Sequence, residues 1–495
     1  MKYLIEKIND LKIEKRAFIN GRFVNALDAE IIKKKSSADQ RDISGIASCK
    51  QEDVNIAVKS ARATVQSRIW MNKEPQDKKK IFLNLADLMK EYTEELALLD
   101  TLETGRCYKN YFEDSIPKAI QVVRWFAESV DKFYDHAIVP RKNTFATITR
   151  GPIGVVGLIT PWNDPLVPAM WKMIPALLTG NSVIIKPAEQ SSFSILKVAG
   201  LAQQAGVPDG VLNVVPGIGE VAGKALALHN NVDGLFFTGS AQVGKKILEY
   251  SGRSNMKKVG LECGGKSAFI VSEKCSQLER AAKVLAQNIF YNQGQICSAP
   301  SRAIIANKIK DKFVDLVRKE MEKYIPKNPF DPDSRVGCVV SLEQKEKIEK
   351  FIQSGIESGA VIYRCKNEGD AYQEGYSVVP VIFDQVAPDS LIAQEEIFGP
   401  VLCVFGFDSI NDAISLANNS RYGLAGAIWT NDLNEAYQVS RLLEAGIVHV
   451  NSYGEDDNCV PFGGFKESGI GKDKSIYAFD EYTNSKTTWM HFDTV

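Results

Sequence analysis

The sequence predicts an α/β protein built from two mainly parallel sheets and a small β arm, and three observations carry that prediction. At 495 residues the chain exceeds one core, since domains run at roughly 100–200 residues, so two or three are expected. From about residue 150, short β-branched runs alternate with stretches of helical period, the pattern of βαβ units. The pair Gly264-Gly265 interrupts that alternation and it then restarts, which marks a crossing between two α/β units.

In chain order, residues 51–130 are polar-amphipathic and helical and are expected to pack on the first sheet. Strands follow at 153–159, 182–185, 213–215 and 234–237, with helices at 194–205, 219–229 and 242–250 between them. Beyond Gly265 the spacing predicts strands near 267–271 and 302–306 and helices near 278–291 and 310–324. Residues 144–150 alternate like an exposed strand, and residues 484–492 do the same. Two strands without neighbours in sequence need a partner. Either they pair with each other and then with another subunit, which caps their edges, or they fold as a hairpin on the core.

Lysine and arginine total 60 against 61 aspartate and glutamate, a formal net charge of -1. That balance provides no field to draw nucleic acid or an anionic membrane. Lys33-Lys34-Lys35 and Lys78-Lys79-Lys80 read as solvated faces. Nine scattered cysteines without a CxxC suit a reducing compartment, and four histidines argue against a His-built metal site, so no metal is expected. Residues 1–7 carry no apolar signal core, and no run approaches ~18 apolar residues. A cytoplasmic protein is expected.

Four segments carry candidate chemistry. In residues 290–298 a helical pattern runs into Gly294 and Cys297 follows at the break, a placement open to a reactive thiol or an inert buried one. Glu262 follows an apolar strand end and precedes Cys263 and the glycine pair, where active sites of open α/β sheets gather; it could be a general base or a lysine-paired surface acid. Asn163, in Pro161-Trp162-Asn163-Asp164-Pro165, could donate to an oxyanion or close an Asx turn. Lys186 and Glu189 follow a strand, and Gly239-Ser240 joins a strand to a helix start that suits an anionic group, although it is not GxGxxG.

Together these segments, with EEIFGP at 395–400 and PFGGFKESG at 461–469, stand in an order and spacing that closely resemble the aldehyde dehydrogenase family over nearly the whole chain. The resemblance implies that Cys297 attacks an aldehyde, that Asn163 and the Cys297 N–H hold the oxyanion, and that hydride transfer to NAD leaves a thioester. Glu262 would then activate the hydrolytic water. Lys186 and Glu189 match adenosine-ribose contacts, with Glu189 disfavouring a 2′-phosphate, so NAD is expected over NADP. Gly239 and Ser240 match the pyrophosphate site, Trp162 a nucleotide-pocket position, and Glu396 and Phe398 the nicotinamide end. The implied architecture is an aldehyde-dehydrogenase-like fold. It comprises a Rossmann-like cofactor domain at 1–129 and 153–263, an α/β catalytic domain at 264–464, and an oligomerisation arm at 130–152 and 478–495. A homodimer or homotetramer is implied.

Two departures bear on the substrate. Asp164 stands where relatives place an aromatic, and Glu455, Asp456 and Asp457 precede the PFGG segment. Acids at a tunnel mouth would attract a cationic ω-aminoaldehyde such as 4-aminobutanal or its γ-glutamyl derivative, unless they simply face water. A semialdehyde dehydrogenase, a broad aliphatic or aromatic aldehyde dehydrogenase, and a silent structural or ligand-binding member of the fold are the competing expectations. Arg106-Cys107, where relatives often carry Lys-Pro, is expected to affect local loop geometry alone.

Overall fold

The computed structural model describes residues 2–454 and 457–493. Its first sheet has eight strands, and the five central ones are parallel: Leu212–Val214, Ser182–Lys186, Val155–Ile159, Gly234–Gly239 and Lys258–Cys263, in spatial order. Numbered from Val155 along the chain they lie 3-2-1-4-5. The order reverses between Val155–Ile159 and Gly234–Gly239, which leaves a crevice beyond their carboxyl ends. Residues 160–163 and Ser240 emerge there. These strands are apolar on both faces because helices cover both.

Two strands and a short return complete this sheet. The hairpin Ala17–Ile19 and Arg22–Val24 turns at Asn20-Gly21, both at positive φ (52° and 72°), and extends one edge. Asn-Gly is a strong hairpin signal that the strand-helix alternation of the later chain overshadowed. At the other edge Gly469–Ile470 pairs antiparallel with Lys258–Cys263. Helix Gln51–Ser67 starts where Asp53 accepts from the Lys50 N–H at 2.8 Å, and it buries Val54, Ala57, Val58 and Ala61 on one stripe. The stretch expected as one helix at 219–229 is split into a π turn, Gly219–Gly223, and a short helix, Lys224–Leu228.

The chain leaves the first sheet after Cys263 and enters a second at Ala268–Val271. That sheet has seven strands, parallel except at Val361–Arg364, and apolar clusters line both its faces. The two orphan strands pair with each other, Thr483–His491 antiparallel to Thr144–Pro152, and His136–Ile138 adds a third. The outer strand of this sheet is largely exposed.

The two lysine runs are not uniformly solvated. Lys34 is buried against the Glu103 carboxylate, and the Lys78 amine donates to the Leu178 carbonyl at 3.4 Å. Burial pulls the Lys78 pKa down to about 8. Charge runs report exposure on average, whereas these helices and strands each turn one member of the run inward. Among the described residues, no helix is long and apolar enough to cross a membrane.

Candidate active site

One cavity of about 770 Å3 is lined from both large sheets, and every described residue singled out above for chemistry lies on its wall. Glu455 and Asp456 fall outside the described residues. Among the described residues, no group of three His, Cys, Asp or Glu could hold a metal ion.

The position of Cys297 is set by an unusual turn. Helix Leu278–Phe290 gives way to three successive residues at positive φ, Asn292 (49°), Gln293 (56°) and Gly294 (68°). For the two non-glycine residues this backbone is costly and persists because surrounding bonds over-determine it. Gln293 Oε1 accepts from the Val378 N–H at 3.0 Å, and Gln295 Oε1 accepts from the Val340 N–H at 3.0 Å. A Cβ on Gly294 would lie 2.2 Å from the Gly399 carbonyl oxygen, so no side chain fits. Beyond the turn Cys297 is half-buried, and the Tyr453 hydroxyl donates to the Ser298 carbonyl at 2.6 Å. Burial, with the nearby Glu396 and Glu262 carboxyls, pushes the Cys297 thiol up to about 12. It therefore rests protonated.

Asn163 meets this turn directly. Its Nδ2 donates to the Gln295 carbonyl at 2.9 Å, and its own carbonyl accepts from Asn292 Nδ2 at 3.1 Å. An amide nitrogen has two hydrogens, so one N–H orients the group and a second is left for a ligand.

Glu262, next to last in strand Lys258–Cys263, is buried at 5% exposure, with neither carboxyl oxygen hydrogen-bonded. Burial raises its pKa well above the usual carboxylate range, Asp473 adds to this, and Lys172 opposes it. Lys172 and Asp473 themselves pair at 2.6 Å. A Cβ on Gly463 would approach Glu262 Oε1 to 2.7 Å, which explains the bare backbone in the PFGG segment. An unpartnered buried carboxyl of raised basicity is suited to taking a proton.

At the other end of the cavity Lys186 closes its strand and bonds Glu189 at 2.8 Å. Burial works against the Glu189 charge, but Lys186 outweighs it and holds the carboxylate below its usual range. Ser240 caps helix Ala241–Arg253, its hydroxyl accepting from the Val243 N–H at 3.3 Å. Glu396 accepts from the Gly265 N–H at 3.1 Å and covers Gly264, where a Cβ would sit 2.0 Å from the carboxylate. Burial lifts its pKa to about 7. Phe398, at φ 56°, stands edge-on to Trp162 with centroids 5.3 Å apart.

Asp164 is on the wall but not free: Arg106 Nη1 donates to its Oδ2 at 2.9 Å and the Ser115 hydroxyl at 3.0 Å. Arg106 therefore does more than shape a loop. It lines the cavity, as do Tyr291, Asp114, Trp171 and Phe462, which sequence reasoning did not single out. Tyr291 lies within the recognised cysteine segment and Phe462 within the PFGGFKESG segment, whereas Asp114 and Trp171 had no local signal.

The comparisons with known proteins agree with this geometry. The family model described as "Aldehyde dehydrogenase family" matches residues 23–488. The chain is 43% identical to the NADP/NAD-dependent aldehyde dehydrogenase PuuC of Escherichia coli strain K12, covering 99% of this chain and 98% of that one. It is 40% identical to an aminoacetaldehyde dehydrogenase of Pseudomonas aeruginosa, over 97% and 96% of the two chains. Among solved structures, a mutant of the indole-3-acetaldehyde dehydrogenase AldA of P. syringae, in complex with NAD+ and IAA, superposes with a TM-score of 0.96 at 42% identity, covering 99% of each chain. A match over nearly the whole chain in sequence and in fold makes the chain a member of the aldehyde dehydrogenase family.

Proposed function

We propose that the protein oxidises an aldehyde to a carboxylic acid with NAD, holding the substrate covalently on Cys297. The observation that carries this is the single cavity in which a thiol, an orienting amide, an unpartnered carboxyl and a capped helix start share one wall. The residues suit the cofactor. Ser240 directs a helix start at the cavity, Lys186 and the anionic Glu189 offer a donor and acceptors to ribose hydroxyls, and Glu396 with Phe398 and Trp162 frames the other end. A 2′-phosphate would meet the Glu189 charge, which favours NAD over NADP. When bound, NAD supplies the two-electron acceptor.

The protein's own groups do the rest. Cys297 Sγ, its proton lost to solvent water, attacks the carbonyl carbon. The second Asn163 N–H and the Cys297 backbone N–H donate to the developing oxyanion. Oxidation leaves an acyl group on Sγ. Glu262 then removes a proton from water, which attacks the thioester and frees the acid and the thiol. Residues 1–129 with 153–263 form the cofactor domain in this reading, 264–464 the catalytic domain, and 130–152 with 478–495 the arm. The exposed outer strand Thr483–His491 supports pairing with a further copy, in a homodimer or homotetramer.

For the substrate we favour a cationic ω-aminoaldehyde. Asp114 and Asp457 lie on the cavity wall, and one relative is named for aminoacetaldehyde. Arg106 offsets the charge of Asp164, and Lys118 at 2.9 Å with Arg106 at 3.9 Å offsets that of Asp114, so the attraction falls mainly to Asp457. The tilted ring pair Trp171 and Phe462, 5.2 Å apart on the same wall, favours a second reading, a neutral aromatic aldehyde. NADH appearance with 4-aminobutanal, a neutral aldehyde of equal length, an aromatic aldehyde and succinic semialdehyde separates these, with NADP run in parallel. Preference for the cation supports the first reading, and preference for the aromatic or the anion discards it. Cys297→Ser should lower turnover on the order of a thousandfold or more, and full activity in that variant would reject the mechanism.

A further inference from the structure

Arg106 leaves helix Thr93–Thr104 through the left-handed cap Gly105 (φ 75°), and its side chain enters the cavity wall at 4% exposure. Nη1 donates to Asp164 Oδ2 at 2.9 Å and Nη2 donates to the Tyr291 hydroxyl at 2.5 Å. The guanidinium lies 4.8 Å from the Tyr111 ring centroid and 4.9 Å from that of Tyr291. Asp164 directly follows Asn163, and Tyr291 opens the left-handed turn that presents Cys297. One side chain therefore grips both halves of the reacting geometry.

We propose that Arg106 is a positioning residue that clamps the Asn163–Asp164 loop to the Cys297 turn, so that the amide donor and the sulfur address one carbonyl group. The proposal rests on the roles given above to Cys297 and Asn163. The loop issues from the first sheet and the turn leads into the second, so nothing in either sheet fixes their separation. Of the direct bonds between them, Asn163 Nδ2 to the Gln295 carbonyl involves the orienting amide itself, while Asn292 Nδ2 to the Asn163 backbone carbonyl holds only the main chain. Arg106 acts from outside that amide and leaves its second N–H uncommitted. Two acceptors in fixed directions suit a rigid guanidinium fork, and a lysine's single nitrogen cannot span both. The Ser115 hydroxyl donates to the same Asp164 Oδ2 at 3.0 Å and supports the loop with Arg106.

The test is steady-state kinetics on Tyr291→Phe, Arg106→Lys and the double variant, with thermal midpoints measured alongside. A misplacement of this kind costs about tenfold to a hundredfold in kcat. The clamp predicts that loss in each single variant, with the KM for NAD unchanged within about twofold. The double variant should fall no further than the worse single one, because both changes break one linkage. If Arg106→Lys fails to fold, Tyr291→Phe, which deletes one hydroxyl, decides alone. A kcat within about twofold of the parent in Tyr291→Phe, or a loss confined to the KM for NAD, overturns the clamp. Cys297→Ser separates the two levels: turnover in that variant overturns the site assignment and the clamp with it. A silent Cys297→Ser with an unaffected Tyr291→Phe overturns the clamp alone.

Discussion

In the proposed function the cavity has a nucleotide end and an aldehyde end, and at the first, three residues sit at the termini of the elements that place them. Lys186 closes Ser182–Lys186, Gly239 closes Gly234–Gly239, and Ser240 caps the helix that follows. At the aldehyde end the wall is assembled from distant parts of the chain: Arg106 meets Asp164 across 58 residues and Tyr291 across 185. The first end is a property of strand termini and needs little beyond the sheet. The second exists only when both sheets are in place, so its shape depends on how they pack together.

Changes at the junction of the two ends should have the largest effects. Glu262→Gln removes the base at the strand terminus and should lower turnover by about a hundredfold to ten-thousandfold, because deacylation then lacks its proton acceptor. The parent enzyme's pH profile carries the same signature. Burial raises the Glu262 pKa, so its basic form is lost as pH falls through a value above the ordinary carboxylate range near ~4.3. kcat should therefore decline on acidification at a pH where an exposed glutamate would still be ionised. Glu396, lifted to about 7, also titrates above the ordinary carboxylate range, so the limb belongs to Glu262 only if Glu262→Gln abolishes it.

Asn163→Ala removes one oxyanion donor and should cost about a hundredfold to a thousandfold in kcat, with the KM for NAD little changed. A loss in KM alone would place Asn163 in binding rather than in stabilising the oxyanion. The smallest effect belongs to the nucleotide end. Glu189→Gln removes a charge that Lys186 holds ionised, and it should raise NADP turnover relative to NAD by about tenfold, as measured by parallel kcat/KM. An unchanged ratio would mean that cofactor choice lies elsewhere on the wall.

The same contrast explains what could be read from the sequence. The parallel strands were legible because strands buried on both faces are continuous apolar runs, and the sheet change at Gly264-Gly265 was legible because glycines interrupt them. The cysteine segment was legible through Gly294, but the left-handed backbone of Asn292 and Gln293 was not, since it is imposed by bonds to Val378 and Val340. The split at Gly219–Gly223 escaped the helical pattern because its residues keep the same apolar spacing. Arg106 was passed over as a loop residue because its partners are named by the tertiary fold alone. The inward-turned Lys34 and Lys78 were hidden for the same reason.

The central claim is that Cys297 carries the substrate and Glu262 releases it. Intact-mass analysis of Glu262→Gln after mixing with NAD and an aldehyde tests it most directly. The account predicts a trapped acyl adduct of the aldehyde's mass less one hydrogen replacing the thiol hydrogen, mapping to Cys297 and absent from Cys297→Ser. An unmodified mass at substrate saturation, or an adduct on another residue, would contradict it.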